Sequence, residues 1–293
     1  LPDTMPKQKS PVKTRGTAMN RWHVAEVVVP LKSDLHCGTS PLGFISRTLP
    51  FVPAHIPFYA LVPVLVKKLN LPEHDFAKVE NFLARHIRFS PFFVLHKNKI
   101  LFPWEKGLLD LENHYLTAYY GVALDYNTRG ALENRLFEKE VIVAVPIHGN
   151  NKSRERTGLK GYVFWQEGRD DDLKITVSSD ASIADLSLKE LLTQSQWGGE
   201  VNKGLGRLLD VKLQKAEKIF HGEFVEKDGE NPLVKWPGNE KCPFYLLYDE
   251  DFIMNGKLIP ITGRRYDRKR GPGVKMDDVA IVWDCGWKSQ TEE

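Results

Sequence analysis

Residues 22–35 alternate, with His23, Ala25 and Val27 on one side and Val24, Glu26 and Val28 on the other. This valine-rich period of two predicts a strand, and Pro30 predicts that it lies at a sheet edge or bulge. Residues 38–53, with Pro41, Gly43, Pro50 and Pro53, read as loop. The apolar run 54–69 predicts a buried helix, with Pro57 in its first turn, a kink at Pro63, and Lys67-Lys68 complementing the dipole at its end. Residues 73–87 place Phe76, Val79, Phe82, Leu83 and Ile87 on one helical stripe. Residues 89–102 read as two short strands around Lys97-Asn98-Lys99, and 108–116 as a short helix. Strands are predicted at 136–147 and 162–165, with a basic loop, 148–161, between them. Another follows at 173–177. Residues 183–196 predict a helix burying Leu186, Leu188, Leu191 and Leu192, capped by Gly198-Gly199. Further strands are expected around 208–213, 245–248, 257–261 and 279–283. Strands grouped with inserted helices predict an α+β fold with helices on one sheet face, not a regular βαβ array.

Composition narrows the class. In 293 residues, 42% are hydrophobic and 11% aromatic, enough for a substantial core, which excludes disorder across the whole chain. No stretch approaches the roughly 20 apolar residues of a membrane span. No segment near the start has the basic, apolar, small-residue order of a secretion signal, so an intracellular, cytoplasmic protein is expected. Cys37, Cys242 and Cys285 are widely spaced, and no CxxC or HExxH occurs, so neither a metal nor a disulfide framework is indicated. Gly199 and Gly204 have P-loop spacing, but Leu205-Gly206 stands where Lys-Ser/Thr is required, and no GxGxxG follows a strand. No cofactor is expected.

The charges nearly cancel, 41 Lys+Arg against 38 Asp+Glu, but they are not evenly spread. Residues 1–21 carry Lys7, Lys9, Lys13, Arg15 and Arg21 against Asp3, and residues 1–20 read as a flexible basic arm. Lys152, Arg154, Arg156 and Lys160 face Glu155 alone in the 148–161 loop. Arg264, Arg265, Arg268, Lys269, Arg270 and Lys275 face only Asp267. Such runs are either solvated loops or phosphate contacts on a polyanion.

The segment 197–207, Trp-Gly-Gly-Glu-Val-Asn-Lys-Gly-Leu-Gly-Arg, carries Gly198, Gly199, Gly204 and Gly206 with Lys203 and Arg207. It reads either as a backbone-rich cradle for phosphate or as a helix cap followed by a glycine turn. It resembles the glycine-rich loop of the repeat-associated mysterious protein (RAMP) superfamily of CRISPR effector subunits. Other segments match that superfamily in order. Leu35-His36-Cys37-Gly38 is similar to its Leu-His-x-Gly, and Phe51-Val52-Pro53-Ala54-His55 to its Tyr-Ile-Pro-Gly-Ser. Residues 124–131, running into Arg135-Leu136-Phe137-Glu138-Lys139-Glu140, resemble its Ile-Asp-Arg-x-Thr-Gly-x-Ala … Leu-Phe-x-x-Glu. The matches cover about 31–213.

The resemblance implies a ferredoxin-like (RRM-type) core over 21–215, with inserted helices and a C-terminal extension over 216–293. It implies binding of CRISPR RNA across the sheet and glycine loop, within a type III antiviral effector whose other subunits, and target RNA, are partners. The 148–161 loop stands where such subunits carry a thumb-like hairpin. Cleaving members usually have an Asp in the loop after Leu-His-x-Gly. Residues 39–50 hold no carboxylate, and Arg47 there is a candidate phosphate contact. A non-catalytic subunit at an end of the assembly or at the five-prime tag is therefore expected. The alternative is a RAMP ribonuclease acting on target or precursor RNA, for which His36 and Asp125 are the candidate acid–base residues.

Overall fold

The computed structural model describes residues 21–39, 43–105, 107–147, 155–250, 254–267 and 271–289. Its elements are β1 (Trp22–Pro30), α1 (His55–Lys68), α2 (Phe76–His86), β2 (Ile87–Phe89), β3 (Phe92–His96), α3 (Gly107–Tyr115), β4 (Leu116–Leu124), β5 (Ala131–Ile142), β6 (Gly158–Gln166), α4 (Leu188–Gln194), β7 (Lys212–Lys215), β8 (Leu258–Asp267) and β9 (Gly271–Trp283), with shorter strands between them. The fold is α+β and its sheets are mostly antiparallel.

The central sheet runs β7-β1-β6-β3, every neighbour antiparallel. The chain enters it at β1, crosses through α1 and α2 to β2 and β3, and returns along β6. It then crosses through α4 to β7. β2 and β3 both pair with β6, and Ser90-Pro91 interrupts them. Pro91 has no N–H to give to the ladder, and at this break the Tyr162 N–H donates to the Ser90 hydroxyl at 2.8 Å. Lys97 and Asn98, both at positive φ, make the tight turn expected between β3 and Lys99–Ile100.

The alternation read in the sequence sets the two sheet faces. Ala25, Val27 and Val29 share one core with Leu159 and Val163 of β6, and with Leu61 and Leu65 of α1, Phe82 and Leu83 of α2, and Leu191 and Leu192 of α4. Each fully buried leucine there contributes about 2 kcal/mol. On the other face, Trp22, Val24, Tyr162 and Phe164 pack against Ile219, Phe220, Phe224, Val234 and Phe244. The chain beyond residue 215 thus packs on the sheet face opposite the helices.

Several expectations are corrected. β1 is an interior strand, not an edge; Pro30 is tolerated because it is the last residue, where only its carbonyl is needed, by the Leu209 N–H at 2.9 Å. The predicted helix 183–196 is a helix only from Leu188. Ala184 and Asp185, both at positive φ, turn a small hairpin between Ser182–Ile183 and Leu186–Ser187. Ser195 ends α4, so Gly198-Gly199 are not its cap. The strand expected at 136–147 occupies Ala131–Ile142, and its partner β4 has no counterpart among the predicted elements. Residues 158–161 of the predicted basic loop are the start of β6.

The run 264–275 falls on the β8–β9 hairpin, where the register sets Arg265 opposite Lys275. Residues 268–270, the N-terminal arm 1–20, Lys152 and Arg154 lie outside the described residues. Among the described residues, no helix is long and apolar enough to cross a membrane.

Candidate nucleic-acid interface

Three motif segments far apart in sequence meet beside the central sheet. The chain leaving β1 runs through Lys32 to Gly38. Leu35 exchanges both backbone hydrogen bonds with Ile142 at the end of β5, at 2.9 and 2.7 Å. The carbonyl of Asp34 accepts the Gly206 N–H at 2.8 Å, and that of His36 accepts the Gly199 N–H at 2.8 Å. The Leu-His-x-Gly, Leu-Phe-Glu and glycine-loop segments are therefore one local structure.

The glycines have separate duties there. Gly198 and Gly206 sit at φ +78 and +73, and a Cβ on either would strike backbone, the His36 carbonyl at 2.3 Å and the Trp197 carbonyl at 1.8 Å. Gly204, at φ +89, faces open space and ends the short turn Val201–Lys203. Six amides of residues 197–207 are already used within the chain. Gly199 and Gly206 donate as above, Lys203 donates to Glu200, Gly204 to Val201, Trp197 to Gly206, and Arg207 to the Ser33 hydroxyl. Close packing thus accounts for two of the glycines, and the anion-facing capacity of the loop rests mainly on its side chains.

The cations divide by whether a carboxylate neutralises them. Lys160 lies in β6 and pairs with Glu26 at 2.7 Å. Arg47 reaches Glu140 at 3.8 Å. Lys203 pairs with Glu200 at 2.8 Å and lies 5.7 Å from the centre of the Phe137 ring. Lys139 of β5 pairs with the same Glu200. Arg156 and Arg207 have no carboxylate within ion-pair distance among the described residues, nor does Lys32, which sequence reasoning missed. Arg156 donates to the Lys32 carbonyl at 3.2 Å, and the Lys32 N–H donates to the Arg207 carbonyl at 2.8 Å. The backbone of Lys32 thus brings these three cationic residues together, as a candidate cationic rim.

Lys32 and Arg156 line an open depression of about 460 Å³ with Ser33, Asp34, Tyr119 and Ala144. Asp34 inside it is already engaged, accepting the Ala144 N–H at 2.6 Å and the Tyr119 hydroxyl. That bond to Asp34 pushes the Tyr119 phenol up to about 12, so it stays a neutral donor. The signal for Lys32 in the sequence was its place next to a motif, not a charge run.

The two candidate acid–base residues have structural partners. His36 is buried. Its Nδ1 lies 2.7 Å from the Glu140 carbonyl, which can only accept, so Nδ1 carries the proton and Nε2 accepts from the Ser46 hydroxyl at 3.3 Å. Asp125 stands at the tip of the β4–β5 hairpin. Its Oδ1 accepts the N–H groups of Asn127 and Thr128 and the Thr128 hydroxyl, and these bonds hold the carboxyl below its usual range. Its role there is that of a turn-forming Asx residue. Among the described residues no three His, Cys, Asp or Glu gather as metal ligands. Burial pushes the three free thiols up, which leaves them poor nucleophiles.

Glu200 ties the loop to the hairpin, and its titration is testable. The Lys139 ammonium first, and Lys203 second, hold its carboxyl down to about 2, against an ordinary value of 4.5. A depressed folded-state value stabilises the protein above the unfolded value and ceases to as pH falls through the folded one. Glu200→Gln is therefore expected to destabilise the protein at pH 7, with the gap from wild type closing between about pH 4.5 and pH 2. Urea midpoints across that range check this; a gap independent of pH would rule out the ion pairs as its source.

The geometry defines an α+β protein with an unneutralised cationic rim where its motif segments converge. No family model matches the chain, and no curated protein matches it in sequence. Among solved structures, the type III-B Cmr-beta complex bound to cognate target RNA and AMPPnP contains a chain 12% identical, with 90% of this chain and 85% of that one covered and a TM-score of 0.47. A chain of the same complex bound to cognate target RNA is 12% identical over 90% of this chain and 86% of that one, with a TM-score of 0.44. One from its apo state is 10% identical over 67% and 98%, with a TM-score of 0.40. The functional reading therefore stands on the residues themselves.

Proposed function

We propose that the chain is a CRISPR RNA-binding subunit of a type III effector, of the RAMP superfamily, that holds RNA without cutting it. One observation carries the reading. The segments resembling that superfamily, 33–38, 135–140 and 197–207, are hydrogen-bonded to one another, and Lys32, Arg156 and Arg207 stand unneutralised beside them. The chain order strand, helices, strand, strand, helix, strand and the sheet order β7-β1-β6-β3 support a ferredoxin-like core ending near residue 215, with the β4–β5 hairpin and the C-terminal extension added to it. Phosphates lie along the rim, where three cations can release counterions, and Tyr119, its hydroxyl held by Asp34, offers a ring beside them. The partners are CRISPR RNA and the other effector subunits.

The engaged nitrogens of His36 and the turn-bound carboxylate of Asp125 favour holding over cutting. The test is to purify the protein with its bound RNA, map photocrosslinks, and incubate the pure chain with labelled repeat and target RNA, with and without EDTA. Crosslinks are expected at Tyr119 and the 197–207 loop, with the RNA intact. Crosslinks confined to residues 1–20, or RNA cut by the pure chain, overturn the reading.

A further inference from the structure

β4 is the outermost strand of its sheet, whose order is Ile45–Ser46, β5, β4. The hydrogen bonds of β5 reveal which groups of β4 face outward. Ile142 spends its N–H and C=O on Leu35, and the Glu138 N–H goes to the Phe44 carbonyl at 3.0 Å, so these groups point away from β4. Leu116 and Tyr120, their register partners, are therefore in non-hydrogen-bonded pairs. By alternation, Ala118, Tyr120 and Val122 turn their N–H and C=O to the outer edge. Among the described residues nothing pairs with them there.

Exposed edges are normally blunted by Lys, Pro or other charge, because a bare edge templates pairing with another chain. From Leu116 to Leu124 there is no charged residue and no proline. Tyr120 is 72% exposed and Leu124 61%, beside Leu136 of β5 at 54%. Such an edge calls for an uncharged strand with bulky positions opposite small ones.

β4 itself meets that description. We infer that the edge of β4 pairs antiparallel with β4 of a second copy of this chain, about a two-fold axis at Tyr120, making one continuous six-stranded sheet from the two three-stranded ones. Outward-facing groups then meet outward-facing groups, with Tyr120 against its own copy and Ala118 against Val122 of the other copy. On the opposite face Tyr119 meets Gly121, over which the Phe137 ring of β5 lies, so the two aromatic rings meet there. The contact is isologous, and because residues 116–124 carry no charge, no like charges meet between the paired strands. Strand pairing of this length buries less than the ~1,200 Å² of a standard interface, so the dimer is weak, with dissociation in the micromolar range.

Sedimentation velocity of the full chain without RNA, from about 1 to about 300 µM to suit an interface of that size, tests this. Wild type is expected to shift from monomer to dimer. Ala118→Lys, which falls beside Glu140 on its own hairpin, and Val122→Glu should each weaken association at least tenfold, with unchanged circular dichroism and melting. Both substitutions in one chain place opposite charges across the two-fold axis and should restore the dimer. A wild type that stays monomeric throughout, including one that takes a strand only from a different protein, overturns the inference. So does a double variant no better than the weaker single one. RNA affinity measured below the dimerisation range is expected to be the same for all four proteins, which keeps the result separate from the RNA-binding reading.

Discussion

Replacing Lys32, Arg156 and Arg207 together by alanine is expected to weaken RNA binding about a hundredfold at moderate salt, on about 1 kcal/mol for each lost phosphate contact. The loss should be nearly independent of RNA sequence, because phosphates carry none. The slope of log affinity against log salt should fall by about 2, from roughly 0.7 for each single-strand contact. Lys160→Ala is the matched control. Its ammonium is already paired with Glu26 at 2.7 Å, so it has little counterion to release and should change affinity and slope much less. Filter binding across a salt series reads both quantities. An unchanged slope for the triple variant, or an equal effect from Lys160→Ala, would remove the rim from the interface. A loss limited to one RNA sequence would point to base contacts elsewhere.

That contrast was not visible in the chain as letters. Lys152, Arg154, Arg156 and Lys160 read as one basic loop, yet Lys160 is a strand residue with an ion-pair partner, Arg156 braces Lys32, and the other two lie outside the described residues. A run of like charges in sequence reports local density, whereas counterion release depends on which cations lack a carboxylate. The carboxylates concerned, Glu26, Glu140 and Glu200, come from three distant segments. Lys32 was overlooked because it is an isolated cation. Its neighbours in space are supplied by residues 156 and 207.

Elements with one buried face were legible and those without were not. β1 alternates in burial from Ala25 to Pro30, where one face meets the helices, whereas at Trp22 and Val24 the opposite face is buried too. α2 declares itself through Val79, Phe82 and Leu83, buried on a single stripe. β4 has both faces largely in solvent, so Tyr119 and Tyr120 stand side by side and no period survives to be read. The 182–187 hairpin was mistaken for helix for a related reason. Ile183 is buried and Leu186 half-buried in the hairpin, and together with Leu188, Leu191 and Leu192 they give the spacing of a helical stripe. The distinguishing feature, positive φ at Ala184 and Asp185, has only a weak mark in sequence. Residues 197–207 form a glycine-rich loop, but Gly198 and Gly206 answer to the neighbouring backbone, which the sequence does not display.

That close approach yields the largest expected stability effect. Gly206→Ala would put a Cβ 1.8 Å from the Trp197 carbonyl oxygen and 2.8 Å from its carbon, at φ +73. Neither side can give way cheaply. The Gly206 carbonyl accepts the Trp197 N–H at 2.9 Å, the Gly206 N–H is held by Asp34, and Trp197 is fully buried with its ring 4.9 Å from that of Phe92. Relief requires separating two hydrogen-bonded segments or moving a core indole, and about 3 kcal/mol or more should be lost. Gly204→Ala, at φ +89 but in open space, should cost only the left-handed penalty of about 1–2 kcal/mol. Urea unfolding separates the two, as a large against a small shift in midpoint at constant slope. Because Arg207 follows directly, the Gly206 variant should also lose RNA affinity under conditions where it remains folded, while the Gly204 variant should keep it. Equal destabilisation by the two would mean that φ alone, and not the Trp197 contact, sets the requirement for glycine. Full RNA binding by a folded Gly206→Ala protein would show that Arg207 does not depend on this packing for its place on the rim.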